Sequence, residues 1–406
     1  MRYFITGITG FVGSHLAKWL VDQENEVYGL MRRRADGTPP KRLVELGILD
    51  QVRLVEGDIT DLTSLLFAVE KVEPDVIFHL AAQTYVPRSF VNPVETFRTN
   101  SLGTQNLLEA VRLKEVNPRI IFAGSSEEYG LQVAHDTHYN IIKADCGHIF
   151  PEPERIPEVP INEKNPLRPR SPYAVSKIYG DYLMRNYHDV YGMRTVVSRG
   201  FNQEGAGRGD NFVTSVIVRQ CIKLKMGEQP AIVIGNVNAF RDWSHIDDIV
   251  SGYILLSEKG RFGDVYVQGS MRTNSVLTYI LMTLKHLGYE IGNLEILSDL
   301  PLPIKYDGMA EVCGDGLLGV KFERTKADLL MFGGRLEFTP ADGELRLKTN
   351  KGDVPIIFDP NRFRPAEVPV LFSDTAKIRK LGFEVKRSLS DIIRDQTNYY
   401  LNPTNR

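Results

Sequence analysis

The sequence predicts an α/β fold: a doubly wound parallel sheet joined to a smaller α+β domain. Three observations carry that expectation. Six short apolar runs alternate with helix-patterned segments across residues 1–200, the rhythm of parallel strands joined by crossover helices. The first run opens directly onto three glycines spaced as a phosphate-binding turn. From Phe201 onward the alternation gives way to the loops, short strands and helices of a second lobe.

With 406 residues, 42% hydrophobic and 25% charged, the chain can bury one large core and a second, smaller one. Its formal net charge of −2 provides no electrostatic footprint for nucleic acid or an anionic membrane, and no run of about 18 apolar residues is present to span a bilayer. A soluble protein with neither partner is expected. Met1 leads directly into Tyr3-Phe4-Ile5 without the regions of a signal peptide, and 3 Cys in this length do not make a disulfide framework. Both point to a reducing cytoplasm.

Arg2 to Ile5 is the first strand, and Thr6-Gly7-Ile8-Thr9-Gly10-Phe11-Val12-Gly13 leads from it into a helix running to about Gln23. Gly7 makes the tight turn, Gly10 admits a pyrophosphate to backbone N–H groups, and Gly13 lets helix pack on strand. Thr9, Phe11 and Val12 fill out that loop, and the anion sits where the helix dipole favours it. The second strand, Glu26 to Met31, ends in Arg32-Arg33-Arg34, where an NAD-specific protein sets a carboxylate against the ribose 2′-hydroxyl. Arg32 and Arg33 favour a 2′-phosphate instead, hence NADP over NAD; the bland alternative is a solvated basic turn.

The third strand, Val52 to Glu56, delivers Asp58 and Ile59 to the adenine. The fourth, Val76 to Leu80, ends in Ala81-Ala82-Gln83, where the nicotinamide ribose can lie against backbone. Inside helix Pro93 to Leu113 the amide of Asn100 predicts a helix opened to hold a water. The fifth strand, Arg119 to Ala123, brings Gly124-Ser125-Ser126-Glu127-Glu128-Tyr129-Gly130 to the carboxyl edge of the sheet, the side on which such sheets bind ligands. The sixth, Arg194 to Ser198, ends in Arg199-Gly200-Phe201-Asn202.

Before that last strand, Pro172 suits a first helical turn, and Ala174, Val175, Ile178, Tyr182 and Leu183 follow at helical spacing. Tyr173 and Lys177 therefore share one face at i and i+4. A free phenol titrates near pKa ~10, and an adjacent ammonium is expected to bring it toward the working range, making Tyr173 a base for a substrate alcohol. Such pairs also occur on ordinary surface helices, so the pair draws its weight from the glycine turn and strand-end residues around it.

The polar, proline-rich segment 131–160 interrupts the rhythm and holds His135, His138, Cys146 and His148. These are zinc-ligand types, but no Cys-x-x-Cys knuckle accompanies them, and a flap over the active-site mouth, with no metal, is the favoured reading. In the second lobe a helix from Val213 to Lys225 and a strand from Ala231 to Ile234 precede a helix to Ser257 that returns to the first domain. Leu336, Phe338, Leu345 and Leu347 alternate around Pro340-Ala341-Asp342-Gly343, which predicts a β-meander over 334–358 with its turn there. A final helix runs from about Leu389 to Tyr400.

These residues resemble an extended short-chain dehydrogenase/reductase of the epimerase/dehydratase type, and within it the GDP-mannose 4,6-dehydratase group. The likeness rests on the glycine turn, His79-Leu80-Ala81-Ala82-Gln83, Ser125 to Gly130, the Tyr173/Lys177 helix, Arg208-Gly209-Asp210-Asn211-Phe212-Val213-Thr214 and Phe363-Arg364-Pro365-Ala366-Glu367-Val368. It implies an NAD(P)-binding Rossmann domain over 1–200, with 236–267 returning to it, and a nucleotide-sugar domain over 201–235 and 268–406. By that similarity Ser125 polarises the sugar's C4 oxygen, Tyr173 and Lys177 form the redox pair, and Glu127 is the base at C5 that separates dehydratases from epimerases. Leu80 and Arg208 would join the cofactor contacts, and Thr84, Ser126, Asn202, Asn211, Val213, Arg241, Arg364 and Glu367 would bind the sugar nucleotide. A homodimer built from helices Pro93–Leu113 and Ser171–Tyr187, or a homotetramer, is also implied. Gln203 stands where the family has His, and Gly205-Ala206-Gly207 is closer to 4-keto-6-deoxymannose reductases. A 4-epimerase, a 4-keto reductase and a non-enzymatic NADP-binding redox sensor remain as alternatives.

Overall fold

The computed structural model describes residues 1–296, 304–305, 309–311, 323–364 and 366–405. Its centre is a parallel sheet of seven strands: β1 (Arg2–Thr6), β2 (Glu26–Met31), β3 (Arg53–Glu56), β4 (Val76–His79), β5 (Arg119–Ala123), β6 (Arg194–Gly200) and β7 (Asp264–Gln268). Their spatial order is β7-β6-β5-β4-β1-β2-β3, parallel throughout. Strands covered on both faces need apolar residues on both, and successive side chains divide accordingly. Ile5, Phe78, Ile121 and Val196 pack with Leu16 and Leu20 of α1 (Phe11–Asp22) and with Ile249 and Tyr253 of the returning helix Ile246–Lys259. Phe4, Ile77, Ile120 and Val197 face the other way, onto the helices Leu62–Val72, Gly103–Leu113 and Pro172–Tyr191. The six expected strands are all present; β7 is the addition, inside the segment expected to return to this domain.

The order in which strands are added reverses at β1, so the connections leaving the paired ends of β1 and β4 go to opposite faces and open a crevice at their carboxyl ends, the binding position of such sheets. Beneath it His79 is a core residue: Nδ1 shares a 2.7 Å hydrogen bond with Thr6 Oγ1 and Nε2 a 2.9 Å bond with Thr104 Oγ1. Burial, followed by the nearby Lys177 charge, lowers its pKa to about 3, so the ring is neutral.

The second lobe joins a five-stranded sheet to a layer of helices Val213–Lys225, Val276–His286 and Leu389–Leu401. Its core includes Trp243 and Tyr279, whose rings meet edge to face at 4.8 Å. The sheet corrects the expected meander. The hairpin strands are Glu344–Thr349 and Gly352–Phe358, turning at Asn350-Lys351, while Pro340–Asp342 is a single 3₁₀ turn closed by Thr339 and Asp342. Leu336 and Phe338 are buried as irregular chain, since burial needs an apolar side chain but no strand. Gly352–Phe358 also pairs in parallel with Ile232–Ile234, across a long sequence separation.

The run Pro93 to Leu113 opens at Asn100 into a π-helical turn, Arg98–Leu102, where the amide accepts from Gln83 N–H at 2.7 Å and donates to Gln83 O at 3.0 Å and Ser176 Oγ at 2.9 Å. In segment 131–160, expected as a flap over the mouth, none of the described residues lines the cleft. It forms a helix, Asp136–Cys146, with its own small core of Leu131, Val133, Ile142 and Ile149. Ala134 and Val159 pack into the second lobe, and Glu158 receives two 2.8 Å hydrogen bonds from Arg168 with both side chains buried. His135 caps this helix and His138 Nδ1 accepts from Ala134 N–H; the Cys146 side chain lies outside the described ones. Among the described residues no three His, Cys, Asp or Glu converge as metal ligands, and no helix is long and apolar enough to cross a membrane.

Candidate active site

The crevice opens as a cleft of about 1480 Å³ between the carboxyl edge of the large sheet and the second lobe. At its floor Gly7 adopts φ +78°, and a Cβ there would come within 2.8 Å of the Ala81 nitrogen; a Cβ on Gly13 would strike the carbonyl of Gly7. This cradle fits only bare backbone. The first turn of α1 has no side-chain cap at Gly10, so its N–H groups face the cleft for an anion to accept. Thr9, Phe11 and Val12 line the same wall. Toward β2 and β3 stand Arg32, Asp58 and Ile59, and toward β4 Leu80, Ala81, Ala82, Gln83 and Thr84. Arg33 is the exception among the residues predicted from sequence: it is exposed and does not line the cleft. A residue not foreseen, Arg42, takes a place on the cleft wall, with Nε donating to Gly207 O at 3.1 Å.

The chemistry gathers at the ends of β5 and β6. Ser125 starts a short 3₁₀ turn, Ser126–Glu128, in which its Oγ accepts from Glu127 N–H at 3.2 Å and Glu128 Oε1 accepts from Ser125 N–H at 2.7 Å. The Ser125 hydroxyl also interacts with the Tyr173 phenol by a side-chain hydrogen bond. Ser126 and Glu127 line the cleft too. Opposite, Ser171 caps the helix that carries Tyr173 and Lys177, accepting from Ala174 N–H at 3.1 Å. Lys177 Nζ donates to Ala123 O at 2.8 Å, and burial lowers its pKa to about 8, against the opposing pull of Glu128.

The expectation that Lys177 lowers the Tyr173 pKa is not met. Burial raises the phenol well above its ordinary range, Ser125 opposes the rise, and the carboxylates of Glu127 and Glu128 add to it. Burial outweighs the groups that favour the phenolate, and the two nearby carboxylates add to the rise, while Lys177 remains a cation that donates to a strand-end carbonyl. A second cation stands near: the Arg208 guanidinium interacts with the Tyr173 phenol while lying over the Phe212 ring, 3.5 Å from its centroid.

The second lobe contributes Asn202, Asn211, Val213, Arg241, Arg364 and Glu367 to the lining. Arg241 is fixed by hydrogen bonds to the carbonyls of Phe240 (2.9 Å) and Val368 (2.7 Å) and to Glu367 Oε1 (2.7 Å). Pro365, within the same motif, lies outside the described residues. Two inner residues went unforeseen. Glu128 lies under the Ser125 turn, in a buried charge cluster with Arg199 and Asp181, whose Nε–Oδ2 distance is 2.8 Å. Tyr253, from the interior of Ile246–Lys259, brings its phenol to the cleft beside Gln203. A doubled glutamate was visible in the sequence; Tyr253 sits in an ordinary apolar helix pattern that gave no signal.

Comparison with known proteins gives a consistent set of relatives. The model of the NAD dependent epimerase/dehydratase family matches residues 3–269. A protein of Sinorhizobium fredii named GDP-mannose 4,6-dehydratase is 30% identical over 97% of this chain and 96% of its own length. One of the same name from Yersinia enterocolitica is 30% identical over 94% of this chain and 89% of its own. Among solved structures, the dTDP-glucose 4,6-dehydratase of Streptomyces venezuelae with NAD bound superposes with a TM-score of 0.68 at 24% identity, covering 100% of this chain and 98% of the other. RMD from Pseudomonas aeruginosa, complexed with NADPH, gives 0.63 at 21% identity, covering 98% and 99%.

Proposed function

The chain belongs to the NAD dependent epimerase/dehydratase family, and from that premise we propose that it is a nucleotide-sugar 4,6-dehydratase converting GDP-mannose to GDP-4-keto-6-deoxymannose. The observation that carries this reading is the Glu127 carboxylate, held by the Ser125 turn in the same cleft as Tyr173 and close enough to raise that phenol's pKa. A 4-epimerase needs the serine, tyrosine and lysine but no base at C5.

The cofactor is NADP in this reading. The uncapped first turn of α1 and the bare-backbone cradle of Gly7 and Gly13 suit a pyrophosphate, and Arg32 with Arg42 suits a 2′-phosphate. When bound, the nicotinamide supplies a hydride acceptor and donor, so the sugar leaves with no net redox change. Tyr173 takes the proton of the C4 hydroxyl, and Ser125 donates to the oxygen left behind. The phenol at rest is protonated, so this transfer needs the positive charge of Lys177 and Arg208 around it. The C4 ketone acidifies the C5–H, and Glu127 removes that proton and passes it to the C6 hydroxyl, which departs as water. Residues 1–200 with the returning helix and β7, 246–268, then form the cofactor unit, and 201–245 with 269–406 the sugar-nucleotide unit, so the stretch expected to return from 236 does so only from the helix at Ile246. We further propose a homodimer through the helices around Phe97 and Tyr182.

The test is incubation with GDP-mannose and NADP followed by mass analysis, with loss of one water as the expected result. Glu127→Gln keeps the side chain's shape but cannot take the proton, so dehydration falls about 10²- to 10⁴-fold while reduced nicotinamide accumulates. Tyr173→Phe abolishes both and leaves cofactor affinity intact. A Gln variant that dehydrates at the parent rate removes the dehydratase reading.

A further inference from the structure

We propose that Arg364 is a positioning residue shared between the base and the substrate: it holds Glu127 in a charge pair until a nucleoside diphosphate draws it away. The inference rests on the dehydratase reading and deepens it. Arg364 Nη1 lies 3.6 Å from Glu127 Oε1 and 3.7 Å from Glu367 Oε1, so one nitrogen serves two carboxylates. Glu367 is in turn held at 2.7 Å by Arg241. The four side chains form a row of alternating charge, Arg241–Glu367–Arg364–Glu127, along the cleft.

The two arginines in that row are held differently. Arg241 is buried and committed to two carbonyls and a carboxylate at 2.7 to 2.9 Å, so it is a fixed cation. Among the described residues Arg364 is bound only by the two longer contacts, and its side chain retains 28% exposure while Glu127 retains 12%. A partly solvated pair at such distances is weak and is exchanged readily for a better one. A diphosphate offers more negative charge than a single carboxylate and several oxygens to a planar guanidinium, and Arg241 stands fixed beside it as the second cation. Arg364 moving to the diphosphate frees Glu127 from its partner in the same event. The base is then available only when the nucleotide half of the substrate is seated, which ties C5 deprotonation to recognition of a group remote from it.

The thermodynamic consequence is separable from catalysis. Breaking the Glu127–Arg364 pair costs part of the diphosphate's binding energy, so removing the carboxylate's charge tightens nucleotide binding, and only while Arg364 is present. Calorimetry of GDP on the NADP-loaded protein tests this in the parent, Glu127→Gln, Arg364→Met and the double variant. Glu127→Gln is expected to tighten GDP by about 1.5- to fivefold, the range of a partly solvated ion pair. Most of that gain should vanish in the Arg364→Met background and return with Arg364→Lys. Unchanged GDP affinity in Glu127→Gln overturns the proposal, as does an equal gain with and without Arg364, which indicates direct repulsion between Glu127 and the phosphates. A parent that binds none of GDP, UDP and dTDP overturns the nucleotide-sugar reading itself, and this inference with it.

Discussion

At the scale of single residues, Glu128 shows what burial does to a charge beside a reactive group. Burial and then the Asp181 charge raise its pKa to about 8, although Arg199 opposes them. The folded protein therefore keeps a proton that the unfolded chain releases near pH ~4.3, so stability falls as pH rises between those values. Lys177, lowered to about 8, is charged in both states over most of that window and adds an opposite slope only toward its upper end, a contribution the parent and a Glu128 variant share. Glu128→Gln removes the titration: its unfolding midpoint in urea should be flatter than the parent's between about pH 5 and about pH 8. Equal slopes would show that Arg199 keeps Glu128 ionised throughout. Arg32 carries the cofactor preference by the same kind of reasoning. It stands exposed on the cleft wall, so Arg32→Ala should weaken NADP about tenfold by calorimetry, with NAD nearly unchanged and with Arg33→Ala almost silent, since Arg33 is outside the cleft.

At the scale of elements, the strands that position the site were legible because a parallel strand covered on both faces must be apolar along its length, and Tyr3-Phe4-Ile5 and Val76-Ile77-Phe78 are. The hairpin was misplaced because Pro340–Gly343 carries strong turn chemistry that a single 3₁₀ turn satisfies, whereas the true turn at Asn350-Lys351 is polar and plain. The π-helical turn at Arg98–Leu102 had a visible marker in Asn100, but its partners Gln83 and Ser176 come from two other elements. Segment 131–160 depends in the same way on a distant partner. Glu158→Gln leaves the Arg168 guanidinium buried without its counter-charge, at a cost of ~3–5 kcal/mol by urea denaturation. Because no described residue of 131–160 lines the cleft, the Michaelis constant should stay near the parent's. A large rise would return the segment to the active-site mouth.

At the scale of the whole molecule, one apolar surface lacks cover. Val94 and Phe97, and Val175 and Tyr182 on the Tyr173 helix, are 63%, 45%, 54% and 55% exposed, on two helices that pack against each other. A second copy placed on this face would bury them as a four-helix bundle. Light scattering at micromolar concentration should give a mass near twice the 45.9 kDa chain, and Phe97→Glu should return it to one chain; a monomeric parent would end the proposal. The sequence alone determined the parallel sheet, the phosphate turn and the Tyr173/Lys177 spacing, because each is set by residues within a few positions of one another and by strict periodicity. Tertiary structure decided the rest. It engaged Lys177 with Ala123, 54 positions away, raised the Tyr173 pKa by burial, and set Arg364 against Glu127. Electrostatic environment and charge pairing depend on which distant side chains share a water-excluded space, and no local pattern of residues encodes that.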